Sequence, residues 1–293
     1  MRGGAETLSP VICPNCGVTD IPRENACAHC GNLLGSSPGP LVSQTPSLAG
    51  ALPQAAFGRR ELGDFISETI RIYRLHPRVF FAIAVVPQLP GLVGLTVPAL
   101  AAQTAFAIVG FVLAAIAQGA VIFAVAAVYS GLTPSFATSF QRAIQLGSTL
   151  VVCQFLLLVL LVPAAFLSIF LIGIPLFLFL LVLLAFYPQA VMVEKMGVLA
   201  SFRRSAALVK GEWWRLFGIG CVYGLVFAVP LVTAIFLSSG ANPVLGVLVS
   251  AFIATLAMPW MFIGATLVYF DLRLRKEDFT LETLAREMAN LPR

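Results

Sequence analysis

No Asp, Glu, Lys, Arg or His occurs in three long stretches of the chain, Val79–Gln141, Ala143–Val193 and Leu216–Phe270. One membrane crossing takes about 20 apolar residues. Each stretch is too long for one span and fits two. The pattern predicts six spans, at residues 79–100, 104–129, 148–171, 175–193, 216–238 and 244–270. Prolines fall inside most of them, at Pro87, Pro90, Pro163, Pro188, Pro230 and Pro259. Each should kink its helix, and neighbouring helices re-satisfy the freed carbonyls. The run Pro87-Gln88-Leu89-Pro90-Gly91 either kinks the first span or breaks it outright, and an irregular kinked helix is the plainer expectation.

Helical periodicity appears again before each stretch. Leu62, Phe65, Ile66, Thr69, Ile70 and Tyr73 share one face, with Asp64, Glu68, Arg71 and Arg74 largely off it. Phe136, Phe140, Ala143 and Ile144 form a second face, behind Thr133–Pro134 as N-cap and first-turn proline. Leu199, Phe202, Ala206 and Val209 form a third. Ser139-Phe140-Gln141-Arg142 and Ser201-Phe202-Arg203-Arg204 resemble each other. That likeness reads as a degenerate triplication or as the common form of a basic helix before a span. After Phe270 the chain turns charged. Asp271 and Arg275 form an i,i+4 pair if the last helix continues. Leu281, Leu284, Ala285 and Met288 then predict a short amphipathic tail.

Composition agrees with a membrane class. The chain is 59% hydrophobic and 11% charged, against about 25% charged for a soluble domain. All 18 Lys and Arg lie outside the three stretches. If each stretch goes out and returns, every basic residue lies on one side, which the positive-inside rule makes cytoplasmic. Both termini are then cytoplasmic, in the cell membrane. The opposite turns are expected near Ala101–Thr104, Ser168–Pro175 and Ser238–Pro243. The fold class expected is an all-α integral membrane protein. Its six transmembrane helices form three hairpins, each preceded by a cytoplasmic amphipathic helix, with a small zinc ribbon at the N-terminus. The domains are residues 1–34 (ribbon), 35–58 (a Gly-, Ser- and Pro-rich linker), 59–276 (membrane domain) and 277–293 (tail).

The ribbon rests on Cys13, Cys16, Cys27 and Cys30, spaced C-x2-C-x10-C-x2-C. Two CxxC knuckles bring four thiolates to one tetrahedral Zn²⁺, and a closed four-sulfur site is structural. A disulfide pair or redox CxxC fits poorly where thiols stay reduced. Arg23 against Asp20 and Glu24 leaves the unit slightly acidic, so no nucleic acid is expected. A cytoplasmic protein partner at the ribbon is the expectation instead. Cys153 and Cys221 lie in spans and are expected to be buried packing residues.

With no charge in the spans, proton relays and ion coupling lack their usual carriers. What remains is one glutamine in each of the first four spans, Gln88, Gln118, Gln154 and Gln189, with Thr233, Thr255 and Thr266 later. They serve either as interhelical hydrogen bonds or as a polar interior. Trp213, Trp214, Tyr129, Tyr187 and Tyr269 read as interfacial anchors. Arg71, Arg203, Arg204, Arg273 and Arg275 are expected at anionic headgroups.

Several segments are similar to the glycerophosphoryl diester phosphodiesterase membrane-domain family and its YciC-like six-span relatives. They are Val193-Glu194-Lys195-Met196-Gly197, Ser201-Phe202-Arg203-Arg204-Ser205, Val209-Lys210-Gly211-Glu212-Trp213-Trp214 and Tyr269-Phe270-Asp271-Leu272-Arg273-Leu274-Arg275-Lys276-Glu277. The resemblance covers roughly residues 60–285 and implies a six-helix membrane domain. In the enzymes that name the family, catalysis belongs to a separate soluble barrel. This chain, with only His29 and His76, lacks the metal-binding constellation such an enzyme needs. The expectation is a non-enzymatic protein that organises or regulates partners or lipids at the cytoplasmic face, as a single copy or a homo-oligomer. The alternative is a transporter or lipid-handling protein that uses the kinked, glutamine-lined bundle. A cavity lined by Gln88, Gln118 and Gln154 would favour the alternative, and a solid Phe and Leu core the first.

Overall fold

The computed structural model describes residues 11–12, 19–20, 61–97, 99–171, 173–240, 243–277, 280, 283–284 and 287, with backbone alone at several positions between 226 and 247. The chain divides into two units, Met1–Leu48 and Ala49–Arg293. In the first, Val11–Ile12 (β1) and Thr19–Asp20 (β2) pair antiparallel, with Val11 opposite Asp20. Cys13, Cys16, Cys27 and Cys30, and the linker of residues 35–58, lie outside the described residues.

The described part of the second unit is helical. Its elements are α1 (Leu62–Leu75), α2 (Pro77–Val85), α3 (Leu89–Gly94), α4 (Leu100–Tyr129), α5 (Phe136–Gln145), α6 (Gly147–Leu167), α7 (Gly173–Leu183), α8 (Tyr187–Glu194), α9 (Val198–Val209), α10 (Trp213–Gly240) and α11 (Pro243–Glu277). Among the described residues five segments are long and apolar enough to cross a membrane: Pro77–Gly94, Leu100–Tyr129, Gly147–Phe170, Gly173–Glu194 and Leu248–Glu277. The stretch expected to hold the fifth of six spans is the 28-residue helix α10.

Prolines shape two of these segments. In the first, Pro87 and Pro90 tighten one turn, Val86–Gln88, into a 3-10 helix, while the flanking residues Val85 and Leu89 stay right-handed helical. The segment is kinked there and not broken. It ends at Gly94, earlier than residue 100, because Pro98 biases Val97 out of the helix and Ala99 is extended. Ala101–Thr104, expected as the turn, instead open α4. In the fourth segment Pro188 sits in the first turn of α8, and the chain turns at 184–186 between α7 and α8. The freed backbone groups are answered by one serine of α9. Ser205 Oγ accepts from the Phe186 N–H (3.1 Å) and donates to the Leu183 carbonyl (2.8 Å).

All three amphipathic helices form, but their buried faces are rotated from the expected ones. α1 buries Phe65, Thr69 and Ile72, α5 buries Ser139, Phe140 and Ala143, and α9 buries Ser201, Ser205, Leu208 and Val209. Leu62, Phe136, Ile144 and Leu199, placed inward by periodicity, are exposed. Small hydroxyl residues let backbones approach closely, and an apolar face can point to lipid as well as to a core. The cap of α5 is Ser135, whose Oγ accepts from the Thr138 N–H at 3.2 Å, and not Thr133.

α4 is the central helix and packs on α2, α3, α5, α6, α8 and α11. Its second half carries small buried residues, Ala115, Ala117, Gly119, Ala120, Ala124, Ala126 and Ala127. α10 packs along α11. A Cβ at Gly264 of α11 would fall on the Tyr223 ring of α10, so that crossing requires glycine. Burial is uneven along the bundle. α4 from Ala115, α6 up to Cys153 and α11 from Ile263 form the core, whereas Ile108, Phe155, Phe166, Phe170 and Phe252 are exposed. An apolar surface this extensive fits solvation by lipid rather than water.

Candidate functional site

The buried charges converge on one end of the bundle. Glu194 closes α8, and its carboxylate accepts from Arg204 Nε of α9 (2.8 Å) and from the Tyr269 hydroxyl of α11. The other side of the Arg204 guanidinium donates to Glu277, at 2.6 Å through its second nitrogen. Arg273 grips Glu287 with two bonds of 2.9 Å and also reaches Glu277 (3.3 Å) and Glu194 (3.6 Å). Beside them, the nearly inaccessible Asp271 accepts from Arg215 of α10 (2.9 Å) and from Arg275 (2.8 Å). The expected i,i+4 pair of Asp271 and Arg275 is therefore formed. Arg71 donates twice to Glu68 of α1, which also accepts from the Tyr129 hydroxyl at the end of α4 (2.7 Å).

Hydrogen bonds to Glu277 and Glu194 hold the Arg204 guanidinium still more firmly protonated than usual, against a partial loss of hydration. The bond to Glu68 does the same for Arg71. Glu194, Glu277, Glu287 and Asp271 are matched in number by Arg204, Arg273, Arg215 and Arg275. Each of these carboxylates accepts from at least one guanidinium, and the hydrogen bond from Arg204 holds the Glu277 carboxyl below the usual carboxylate range. The arrangement suits a structural clamp better than proton transfer.

Of the residues expected at headgroups, Arg71, Arg204, Arg273 and Arg275 thus have carboxylates of this chain beside them. Arg203 is exposed, as is Trp214 at 78%. Trp213 is half-buried and stacks on Phe217 (5.1 Å). Tyr129, Tyr187 and Tyr269, read as interfacial anchors, are buried instead. Two of them carry their hydroxyls to Glu68 and Glu194, a destination that a count of aromatics at span ends does not disclose.

A cavity of about 1220 Å³ opens next to the clamp, between the first segment and α4, α6, α7, α10 and α11. Gln88, Gln118 and Gln154 all line it, from three different segments. All three are half-buried, and none forms a hydrogen bond to a described residue. Gln189 stands apart. It is fully buried and outside the cavity lining, and neither amide atom has a partner among the described residues. Thr255 and Thr266 bond back to their own helix, at the Ala251 and Phe262 carbonyls. The Thr233 side chain lies outside the described residues.

Cys153 is buried, as expected, with Sγ 3.5 Å from Ser201 Oγ. Cys221 corrects the expectation, being exposed and part of the cavity lining. Tyr223 lines the cavity as well, and its hydroxyl lies 2.9 Å from Thr69 Oγ1 of α1. Neither Cys221 nor Tyr223 has a sequence signal that separates it from ordinary span residues. Among the described residues no group of three His, Cys, Asp or Glu is placed to hold a metal ion.

Fold and site together define, in the described part of the second unit, a helical bundle with apolar helices of membrane-crossing length, a charged clamp at one end and a cavity beside it. Comparison with protein-family models, with curated proteins and with solved structures finds no match.

The clamp makes a direct prediction. Arg273→Met leaves Glu287 without its paired guanidinium, while Glu194 keeps Arg204, and should cost about 3 kcal/mol. Exposed Arg203→Met should cost about 0.5 kcal/mol or less. Thermal unfolding in detergent should show a large drop for the first variant only, and equal shifts would refute the clamp.

Proposed function

We propose that this chain is a non-enzymatic multi-pass membrane protein that binds an amphiphilic molecule within its helix bundle, the lipid-handling reading. The observation that carries it is the cavity lined by Gln88, Gln118 and Gln154 together. A bundle that serves only as a scaffold has no use for an open cavity of this size, whose walls forgo helix–helix contact. Three carboxamides without protein partners in apolar surroundings are costly, and a ligand that hydrogen-bonds them offsets that cost. The volume exceeds the usual range of about 300–1,000 Å³ for small-molecule sites, which suits a lipid-sized occupant.

In this reading the chain crosses the cell membrane six times as three hairpins, each led by α1, α5 or α9 lying at the cytoplasmic interface. α10 supplies the fifth crossing, and both termini are cytoplasmic. The clamp residues Glu194, Arg204 and Asp271–Glu277 belong to the segments that resemble the phosphodiesterase membrane-domain family, and membership of that family is part of the proposal. Cys13, Cys16, Cys27 and Cys30 hold one structural Zn²⁺ in the N-terminal ribbon. The separate compactness of Met1–Leu48 supports a second role for this unit, docking a cytoplasmic protein partner.

Three outcomes test these statements. Native mass spectrometry of the purified protein should show a bound lipid. Its share should fall by more than half in Gly220→Trp, since Gly220 lines the cavity and a Cβ there meets no atom within 4 Å. An undiminished lipid load would refute the site. Zinc should be present at about one equivalent and absent from the Cys13→Ser, Cys16→Ser double variant, so unchanged metal content would remove the ribbon. A reporter inserted at Asn242 should lie outside the cytoplasm and one fused after Arg293 inside, and the same side for both would break the hairpin arrangement.

A further inference from the structure

The depth of the three glutamines narrows the class of ligand. Tyr129 marks the clamp end of α4 through its bond to Glu68. Gln118 lies about 16 Å from Tyr129 along the helix, at about 1.5 Å per residue. Gln88 lies about as far from the start of α2 at Pro77, and Gln154 about 10 Å from the start of α6 at Gly147. The hydrocarbon core of a bilayer is about 30 Å thick, so Gln88 and Gln118 sit near its middle. The headgroup of an ordinary phospholipid does not reach this depth, and a charge there is strongly penalised.

The lining provides nothing to answer a charge. It contains no Asp, Glu, Lys, Arg or His, and its polar side chains are those of Gln88, Gln118, Gln154, Tyr187, Tyr223 and Cys221. A carboxamide offers both a donor and an acceptor, which matches a hydroxyl or a carbonyl. The cavity is also long. Its lining runs from Leu216 to Ala228 on α10, about 18 Å along the axis, and everything besides these polar groups is apolar or glycine. The site therefore pairs a neutral hydrogen-bonding centre with room for hydrocarbon.

Resting on the lipid-handling reading, we infer that the cavity selects an uncharged lipid whose hydroxyl or ester carbonyl bonds Gln88, Gln118 and Gln154, the first two near the bilayer middle, diacylglycerol being the simplest of that chemistry. Phosphorylated or otherwise charged lipids of the same chain length are rejected because their head cannot enter.

The native tryptophans report on occupancy. Trp213 stacks on Phe217, and Trp260 lies 5.8 Å from Tyr223, ring to ring, with both partners in the lining. The full-length protein in detergent is titrated with three probes carrying brominated chains: dioleoylglycerol, the corresponding phosphatidic acid and a long-chain hydrocarbon. Saturable quenching should be strongest for dioleoylglycerol, with phosphatidic acid at least about tenfold weaker, the equivalent of about 1.4 kcal/mol. Gln118→Leu should weaken dioleoylglycerol about 3- to 10-fold, as loss of one hydrogen bond does, and leave the hydrocarbon unchanged. Phosphatidic acid binding as tightly as dioleoylglycerol in the wild type overturns the inference while leaving lipid binding intact, and this ranking needs no variant to fold. Unchanged dioleoylglycerol affinity in folded Gln118→Leu also overturns it. If no probe quenches saturably, lipid handling fails and the inference fails with it.

Discussion

A buried guanidinium or carboxylate is stable only where opposite charge and hydrogen bonds replace the water it has lost. That requirement organises one end of this bundle. Arg273 is 6% exposed and Asp271 3%, so each depends on partners brought in by other parts of the chain. Glu194 arrives from α8, Arg204 from α9, Arg215 from α10 and Glu287 from the segment after α11. A second group, Glu68 with Arg71 and Tyr129, ties α1 to the end of α4. The two groups meet where Tyr129 packs edge-on against Phe270 (5.8 Å) and Arg215 lies over the Phe65 ring (5.9 Å). Six helices are thereby held at one level.

The clamp explains why burial is uneven. Helices fixed together at one end pack closely there, and the small residues of the second half of α4 allow it. Away from the clamp the same helices are held by apolar contact alone, which in lipid distinguishes poorly between a neighbouring helix and an acyl chain. The cavity begins at this transition. Its lining includes Phe186, Leu216 and Val268, and the last two are sequence neighbours of the clamp residues Arg215 and Tyr269. The ion pairs therefore border the cavity at this end.

Much of this was legible in the sequence, for a definite reason. Charge-free stretches and the prolines within them are governed by the bilayer and by backbone chemistry, which act locally, and the helices follow them closely. The inward faces of α1, α5 and α9 were less legible. Periodicity locates an apolar face but does not say whether it meets protein or lipid, and Ser139, Ser201 and Ser205 went inside while Phe136 and Leu199 went out. The clamp was half visible. Glu194, Arg204 and Asp271–Glu277 stood out as motif residues, yet basic clusters beside a span look the same whether they meet headgroups or carboxylates. Pairing across such distances in the chain is a tertiary fact, as is the buried course of Tyr129 and Tyr269. The glutamines were legible as polar exceptions, but only the structure separates the three that line the cavity from Gln189.

The choice of glutamine is itself informative. Proteins that move ions or protons through apolar helices place carboxylates, lysines or histidines in them, because the cargo must be matched by charge. Here every such side chain lies outside the three stretches, and those whose contacts are clearest are engaged with one another at the clamp. A carboxamide is among the strongest hydrogen-bonding side chains that remain neutral at every physiological pH. Placed on three separate segments around one cavity, it lines the interior with hydrogen-bonding groups whose state depends on neither protonation nor membrane potential. The clamp and the cavity are thus two consequences of one division: the buried charges gather at one end, where they fix the helices, and the polar groups that line the remaining interior are neutral.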